Sequence, residues 1–159
     1  MMNLSTLSGE LENLEVGISE PNAIEGWSAA YKEFFRDAAA NEIPINELVL
    51  LPAQQAMKVA MIGLSAQNAG ASKLQAGILA FWGYLVANFS IAWSGSTGLT
   101  PAPSLGGLAG ILTGVFSANT SGQLSRLQAS LSVATAVHGA SQGGMVIYPG
   151  APPVTFPIL

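Results

Sequence analysis

The chain has 159 residues, of which 50% are hydrophobic and only 9% are charged, whereas an average soluble domain carries roughly 25% charged residues. It has no cysteine, which excludes disulfide bonds and thiolate metal sites. All nine acidic residues lie at or before Glu47, and the three bases after residue 50 are Lys58, Lys73 and Arg126. Charged side chains normally cover a monomer's surface, so we expect other subunits or lipid to cover much of this one.

The same inventory argues against catalysis and metal binding. Past residue 50, the candidate acid–base groups are His138, Lys58, Lys73, Tyr84 and Tyr148. No HExxH, DxDxDG or phosphate-loop motif occurs in the sequence. We therefore predict a protein that is not an enzyme, with no catalytic residue, no cofactor and no metal site. His138 is interpreted as a structural or helix-capping histidine.

Two further classes are disfavoured by the distribution of charge. No basic cluster is present, so sequence-specific nucleic-acid binding is not expected. The N-terminus lacks both a positive n-region and a continuous apolar h-region, so no secretory signal is expected. The acidic front and the weakly basic rear can attract each other, within one subunit or between neighbouring subunits.

Residues 1–20 are predicted to form an N-terminal arm. Their apolar residues keep a helical or heptad-like spacing, but Gly9 and Gly17 weaken a continuous helix. An arm that orders against a partner and a helix that docks on the core both fit this pattern. The spaced apolar residues are Leu4, Leu7, Leu11, Leu14 and Ile18.

A clear helix follows, with Ser19 and Glu20 before Pro21, a residue suited to the first turn, and with Asn41 and Pro44 at its end. Its predicted apolar face consists of Ile24, Trp27, Tyr31, Phe34, Phe35 and Ala38.

A second helix is predicted to start at Pro52, with Met57, Ala60, Met61 and Leu64 on its core face. The stretch 66–72 reads as a breaker, with Ser72 as an N-cap.

Residues 74–93 form the most hydrophobic run and carry no charge. Twenty helical residues span about 30 Å, which is the thickness of a hydrocarbon core. A membrane span and a helix buried on all sides within an assembly explain this run equally well.

Beyond the run, 94–107 is predicted to be a loop and 108–118 a short apolar helix or buried connection. Thr120 or Ser121 would cap a last helix that Gly143 and Gly144 end. Its predicted stripe consists of Leu124, Leu127, Leu131, Ala134 and Val137.

The C-terminal residues 145–159 change character. MVIYPG is typical of a short strand and a turn, and the closely spaced prolines Pro152, Pro153 and Pro157 exclude a helix. The rest is predicted to be a stiff, extended, apolar tail. It either lies on a neighbouring subunit or folds back over its own core.

The sequence therefore predicts a mainly α fold, a compact bundle of about four to five helices with an N-terminal arm and an extended Pro-rich C-terminal tail. The units are the arm (1–20), the helical domain (21–144) and the tail (145–159). Intersubunit contacts are expected at Leu4, Leu7, Leu11, Trp82, Phe89, Val154, Phe156, Ile158 and Leu159.

The stretches AAYKEFFRDAA, LQAGILAFWGYL, HGASQGGMVIYPGAPP and PGAPPVTFPIL belong to a small, cysteine-free chain rich in Ala, Gly and Ser. In this overall character, which spans most of the chain but includes no specific motif, the chain resembles the minor virion proteins of tailed bacteriophages. The resemblance assigns no role to any residue. It implies a multi-copy virion component of the tail, neck or baseplate, or a capsid decoration, whose partners are copies of itself and other virion structural proteins.

Two functional hypotheses follow. The first is a self-associating structural protein whose low charge is hidden in symmetric interfaces. The alternative is a small membrane-embedded protein of the lysis or pore type that spans with residues 74–93.

Overall fold

The computed structural model of the chain describes residues 2–13, 19–63, 70–120, 122 and 124–159. As predicted, the chain is mainly α-helical, and a small antiparallel sheet accompanies the helices. Two helices are additional to those predicted. One forms in the predicted arm, and the other results from the division of the run 74–93 into two helices. The helices are α1 (Leu4–Glu12), α2 (Glu20–Arg36), α3 (Leu50–Ile62), α4 (Gly70–Ala87), α5 (Phe89–Ala92), α6 (Leu108–Thr120) and α7 (Arg126–Ser141).

The first helix docks on the body of the protein. Asn3 caps α1, because its Oδ1 accepts the backbone N–H of Ser5 at 2.9 Å. Leu7 and Leu11 are buried where α1 packs on α7 and α2. Within the described residues the predicted arm is therefore a docked helix. Leu14 and Ile18, from the same predicted pattern, lie outside the described residues.

Helix α2 confirms the predicted start and most of the predicted apolar face. Ser19 is the N-cap and Pro21 lies in the first turn, where its missing N–H costs nothing. The predicted end is several residues too late, because α2 stops at Arg36. The chain then turns through a hairpin of β1 (Ala39–Ala40) and β2 (Ile43–Pro44).

Helices α3 and α4 pack closely against each other. A 3-10 helix, Glu47–Val49, leads into α3, so α3 begins at Leu50 rather than at Pro52. Gly77 of α4 allows the approach, since a Cβ there would lie 2.7 Å from Cγ of Met61. Helix α4 already begins at Gly70, which places Ser72 inside its first turn and not at the predicted cap. Leu64 and residues 65–69 lie outside the described residues.

The apolar run 74–93 is not one helix in this fold. It begins inside α4, which ends at Ala87, and it continues through a turn at Asn88 into the four-residue α5. Ile78, Phe81, Trp82 and Leu85 of the run are fully buried, whereas Leu79 and Ile91 are exposed. Among the helices that the structure describes, none is both long enough and apolar enough to cross a membrane.

The cap predicted for the last helix is wrong, and the predicted stripe is only partly confirmed. Thr120 belongs to α6, and Ser121 lies outside the described residues. Ser125 is the cap, in a reciprocal capping box with Gln128. The helix buries small residues where it packs on α1 and α6, so Ala134 and Val137 are buried while Leu127 and Leu131 are exposed.

The C-terminal segment folds back on its own chain. Strands β3 (Gly98–Thr100), β4 (Met145–Tyr148) and β5 (Val154–Pro157) form an antiparallel sheet in the order β3-β4-β5, with Val146 opposite Phe156. Beyond β5, Leu159 and Ala39 exchange both backbone hydrogen bonds, and Ile158 is buried in the core. Of the two alternatives predicted for the tail, the structure has the one in which it covers its own core.

The interior is centred on aromatic side chains of α2 and α4. The Phe35 ring lies 5.2 Å from the rings of both Phe81 and Trp82, and the Tyr31 ring lies 5.0 Å from that of Phe81, centroid to centroid. Gly144 passes directly over Trp82, where a Cβ would clash with the indole ring. These rings link the two central helices to the segment that enters the sheet.

Candidate interaction surface

The residues predicted to form intersubunit contacts do not share one location. Leu7, Leu11, Trp82 and Ile158 are buried in the chain's own core. Leu4, Phe89 and Phe156 are half-buried against that core. Val154 and Leu159 are exposed, and they lie at the two ends of the C-terminal segment that begins at β5. In this fold, the first four are core residues of the protomer and not surface residues.

The predicted attraction between the acidic front and the basic rear occurs within the chain. Lys58 of α3 forms an ion pair with Glu25 of α2. Lys73 of α4 forms one with Glu20 at the start of α2. Two of the three bases after residue 50 are therefore paired with acids of the first third, and both pairs join α2 to a helix packed beside it.

A buried polar cluster joins α2, α4 and α7. Trp82 Nε1 donates to the Tyr31 hydroxyl at 3.0 Å, and that hydroxyl lies 2.8 Å from Oγ of Ser141. Since Tyr31 accepts from the indole, its own proton is available to Ser141. Complete burial raises the pKa of Tyr31 above its ordinary value, and the two hydrogen bonds only partly oppose this. Because it has no access to solvent, the cluster serves packing.

His138 is half-buried near the end of α7. Its Nε2 lies 2.9 Å from Nε2 of Gln142, and its ring packs edge-on against Phe34 with centroids 5.7 Å apart. It lines a cavity of about 290 Å³ together with Met2 and the last three residues of the chain. Within the described residues, no three His, Asp or Glu side chains are grouped as a metal site would require.

A second cavity, of about 180 Å³, lies between α2, α4 and α6. Its wall is almost entirely apolar and includes Trp27, Leu74 and Phe116, and the Lys73–Glu20 ion pair lies at its side. The Trp27 and Phe116 rings meet edge-on across it at 6.4 Å between centroids. Lys73 and Glu20 are paired with each other, so the described residues that line this cavity include no free charged group that would define a ligand.

The feature that most departs from an ordinary protein surface is the outward face of α3. Four large aliphatic side chains project from it or from the preceding turn, and each is more than half exposed. They are Leu48 (79%), Leu51 (59%), Val59 (69%) and Ile62 (64%). The exposed Gln55 lies in the middle of this set. We call these five residues the α3 stripe.

The position of the α3 stripe follows from how α3 packs. Its opposite face carries Leu50, Ala53, Met57 and Met61, which are buried against α2 and α4. On the α2 side, Gln54 Nε2 donates to Ser28 Oγ at 3.3 Å and to Glu25 Oε1 at 3.4 Å. With both neighbours fixed on the inner face, the aliphatic residues of the outer face are left uncovered by the part of the chain that the structure describes.

Sequence reasoning missed this surface. It placed Met57 and Met61 in the core, which the structure confirms, but it made no prediction for the aliphatic residues of the outer face. The signal is present in the sequence, since α3 is apolar around most of its circumference, a pattern typical of a helix covered on every side.

Comparison with known proteins supplies no relative: the chain matches no protein-family model, no curated protein and no solved structure. The functional argument therefore depends on the surface and the charge pattern of this chain alone.

Proposed function

We propose that the chain is a non-enzymatic structural protein that associates with copies of itself. The α3 stripe is the observation that carries this proposal. Exposed aliphatic residues occur singly on most monomers, but four of them in one row on one helix form a patch typical of a protein–protein contact. The low charge of the whole chain supports the same function, because obligate interfaces are depleted in charged residues.

The assembly is proposed to be a virion component of a tailed bacteriophage, in the tail, neck or baseplate or on the capsid. This part follows from the overall resemblance of the sequence to minor virion proteins. Within such a particle the body would be the helical bundle, and the C-terminal segment would belong to that body through β5, Ile158 and Leu159. The proposed contacts between subunits are therefore made by helix surfaces and not by an exchanged tail.

Light scattering on the purified full chain tests self-association. We expect a mass above that of one chain, increasing over a concentration range of about 1 to 500 µM. A chain that stays monomeric throughout this range would overturn the proposal. Recovery only in the presence of detergent would also contradict it and would favour the lipid-embedded alternative.

The virion assignment needs a separate measurement. Mass spectrometry of purified phage particles that encode the chain should detect it at several copies per particle. Its absence from particles, with abundant chain in the infected-cell extract, would overturn the assignment and leave self-association untouched.

A further inference from the structure

The α3 stripe has a spacing that reads the same in both directions. Its residues are Leu48, Leu51, Gln55, Val59 and Ile62, separated by three, four, four and three positions. At 100° per residue, the four that lie within α3 fall inside an arc of about 80°, so they form one row along the helix. Gln55 is the midpoint, with two aliphatic residues at equal distances on each side.

A surface with this symmetry is complementary to itself. In a two-fold symmetric contact, each subunit uses the same patch, and residue pairs occur reciprocally. If two α3 helices pack antiparallel with Gln55 on the axis, Leu48 lies level with the partner's Ile62. Leu51 lies level with the partner's Val59. The two Gln55 side chains then meet at the axis, where each amide can donate to the other's carbonyl.

Ion pairs lie beside both halves of the α3 stripe. Glu25 of α2 lies beside the C-terminal half of α3, where it pairs with Lys58. Lys32 and Arg36, seven and eleven residues further along α2, both pair with Glu33 beside the N-terminal half of α3.

Because a two-fold axis reverses the direction of α3, it brings the Glu25 end of each α2 level with the Lys32 end of the other, and charges of both signs meet along the rim. Charged groups at the rim of an interface affect steering and register more than affinity.

We infer that α3 is the contact helix of a two-fold dimer, packed antiparallel on the α3 of a second copy with Gln55 at the axis. This inference rests on the proposed self-association and identifies the surface that makes it. Aliphatic residues exclude water along the row, and the central glutamine pair fixes the register. A contact of one helix per subunit is small, so the dimer would be a weak one on which a larger assembly is built.

The first experiment is sedimentation of Val59→Glu beside the wild-type chain. Each dimer would then carry two carboxylates within its apolar row, and we expect the dissociation constant of the dimer to rise by at least about 100-fold. Leu127→Glu is the matched control, because Leu127 is a similarly exposed aliphatic residue (54%) on α7. It should associate as the wild type does. Circular dichroism should show an unchanged helical spectrum for both, since neither residue is buried.

The second experiment uses the absence of cysteine from the natural chain. A disulfide requires the two Cα atoms to lie within about 7 Å, which antiparallel helices allow only near the axis. Gln55→Cys should therefore form a covalent dimer under mild oxidation. Leu48→Cys, on the same stripe and more exposed, should not, because fourteen residues separate the levels of the two copies, or about 21 Å.

The outcomes separate this inference from the proposed function. The contact is supported if the wild type associates, Val59→Glu weakens that association, and of the two cysteine variants only Gln55→Cys forms a covalent dimer. If the wild type associates but neither change has its effect, this contact is wrong and the proposed self-association stands. Linking of both cysteine variants equally would overturn the antiparallel geometry. A monomer at every concentration that forms no link at position 55 would overturn both proposals.

Discussion

The interior around Tyr31 and the outward face of α3 both contain several large apolar residues, yet those of the interior are buried and those of α3 are exposed. In the interior, every large side chain is covered, and the polar atoms of Tyr31, Trp82 and Ser141 satisfy one another. On α3, the aliphatic residues of the stripe are open and their one polar companion is Gln55. Apolar content alone therefore does not distinguish a core from a contact surface in this chain.

What distinguishes the two regions is how each accommodates polar atoms. A buried hydroxyl or indole N–H costs free energy unless it finds a partner, so a network such as that around Tyr31 indicates a completed protein interior. The α3 stripe contains no such network, and its rim carries charges of both signs. This arrangement is the ordinary anatomy of an interface, with an apolar centre and a polar rim.

The sharpest test of the interior is Trp82→Ala, which should have the largest effect on stability. Removal of a buried tryptophan typically costs about 3–5 kcal/mol, and here it also removes the donor to Tyr31. Chemical denaturation followed by circular dichroism should give this loss or a chain that does not fold. Leu79→Ala on the same helix, at an exposed position, is the control and should change the free energy of unfolding by about 0.5 kcal/mol or less. Equal effects would mean that the rings of α2 and α4 do not form the core.

A smaller change, Tyr31→Phe, tests the buried polar cluster alone. It keeps the ring and removes the hydroxyl that joins Trp82 to Ser141. Both partners are then buried without their hydrogen bond, so we expect a loss of about 1–3 kcal/mol. Tyr84→Phe, at a half-buried position on α4, serves as the matched control and should cost less. A Tyr31→Phe variant as stable as the wild type would show that the cluster contributes no net stability.

The same residue predicts how stability depends on pH. Burial raises the pKa of Tyr31 in the folded state, whereas an unfolded tyrosine ionises near pH 10. Above that pH the unfolded state holds fewer protons than the folded state, so the free energy of unfolding should fall as pH rises. Burial also raises the pKa of Tyr148, but Tyr148 is present in both the wild type and Tyr31→Phe. The wild type should therefore lose stability more steeply than Tyr31→Phe between about pH 10 and 12. Parallel curves would show that Tyr31 does not cause the loss.

The elements with strong local signals were predictable from sequence. Ser19 and Pro21 mark the start of α2, and the spacing of Ile24, Tyr31, Phe34 and Phe35 gives its buried face, which the structure confirms. Such signals are local, because a proline in the first turn and an apolar stripe have the same meaning in any fold. The mainly helical class followed from several stretches of this kind.

Where tertiary packing overrides the pattern, the sequence misleads. In α7 the large leucines suggest the buried face, but the face that packs on α1 and α6 carries Ala, Ser and Val. Ala129, Ser130 and Ala140 are therefore buried, while Leu127 and Leu131 remain outside. The C-terminal segment was ambiguous for a related reason, since β4 pairs with β3 and Leu159 pairs with Ala39, and pairing between distant segments leaves little local trace.

The smallest expected effect is also the one that separates the two regions most directly. Val59→Thr replaces a methyl group by a hydroxyl at nearly constant shape, on the open α3 stripe. Measured at a concentration where the chain is monomeric, it should change the free energy of unfolding by less than about 0.5 kcal/mol, because water already reaches this position. Val133→Thr makes the same change at a buried site of α7 and should cost about 1–3 kcal/mol, since the new hydroxyl leaves water on folding.

At higher concentration, the variant whose thermal midpoint behaves differently from that of the wild type should be Val59→Thr and not Val133→Thr. A partner that binds only the folded chain raises the thermal midpoint with concentration, so the wild type and Val133→Thr should keep that dependence while Val59→Thr loses part of it. If Val59→Thr instead destabilised the monomer as much as Val133→Thr does, the outward face of α3 would be part of the protomer's own interior, and the contrast between the two regions would not hold.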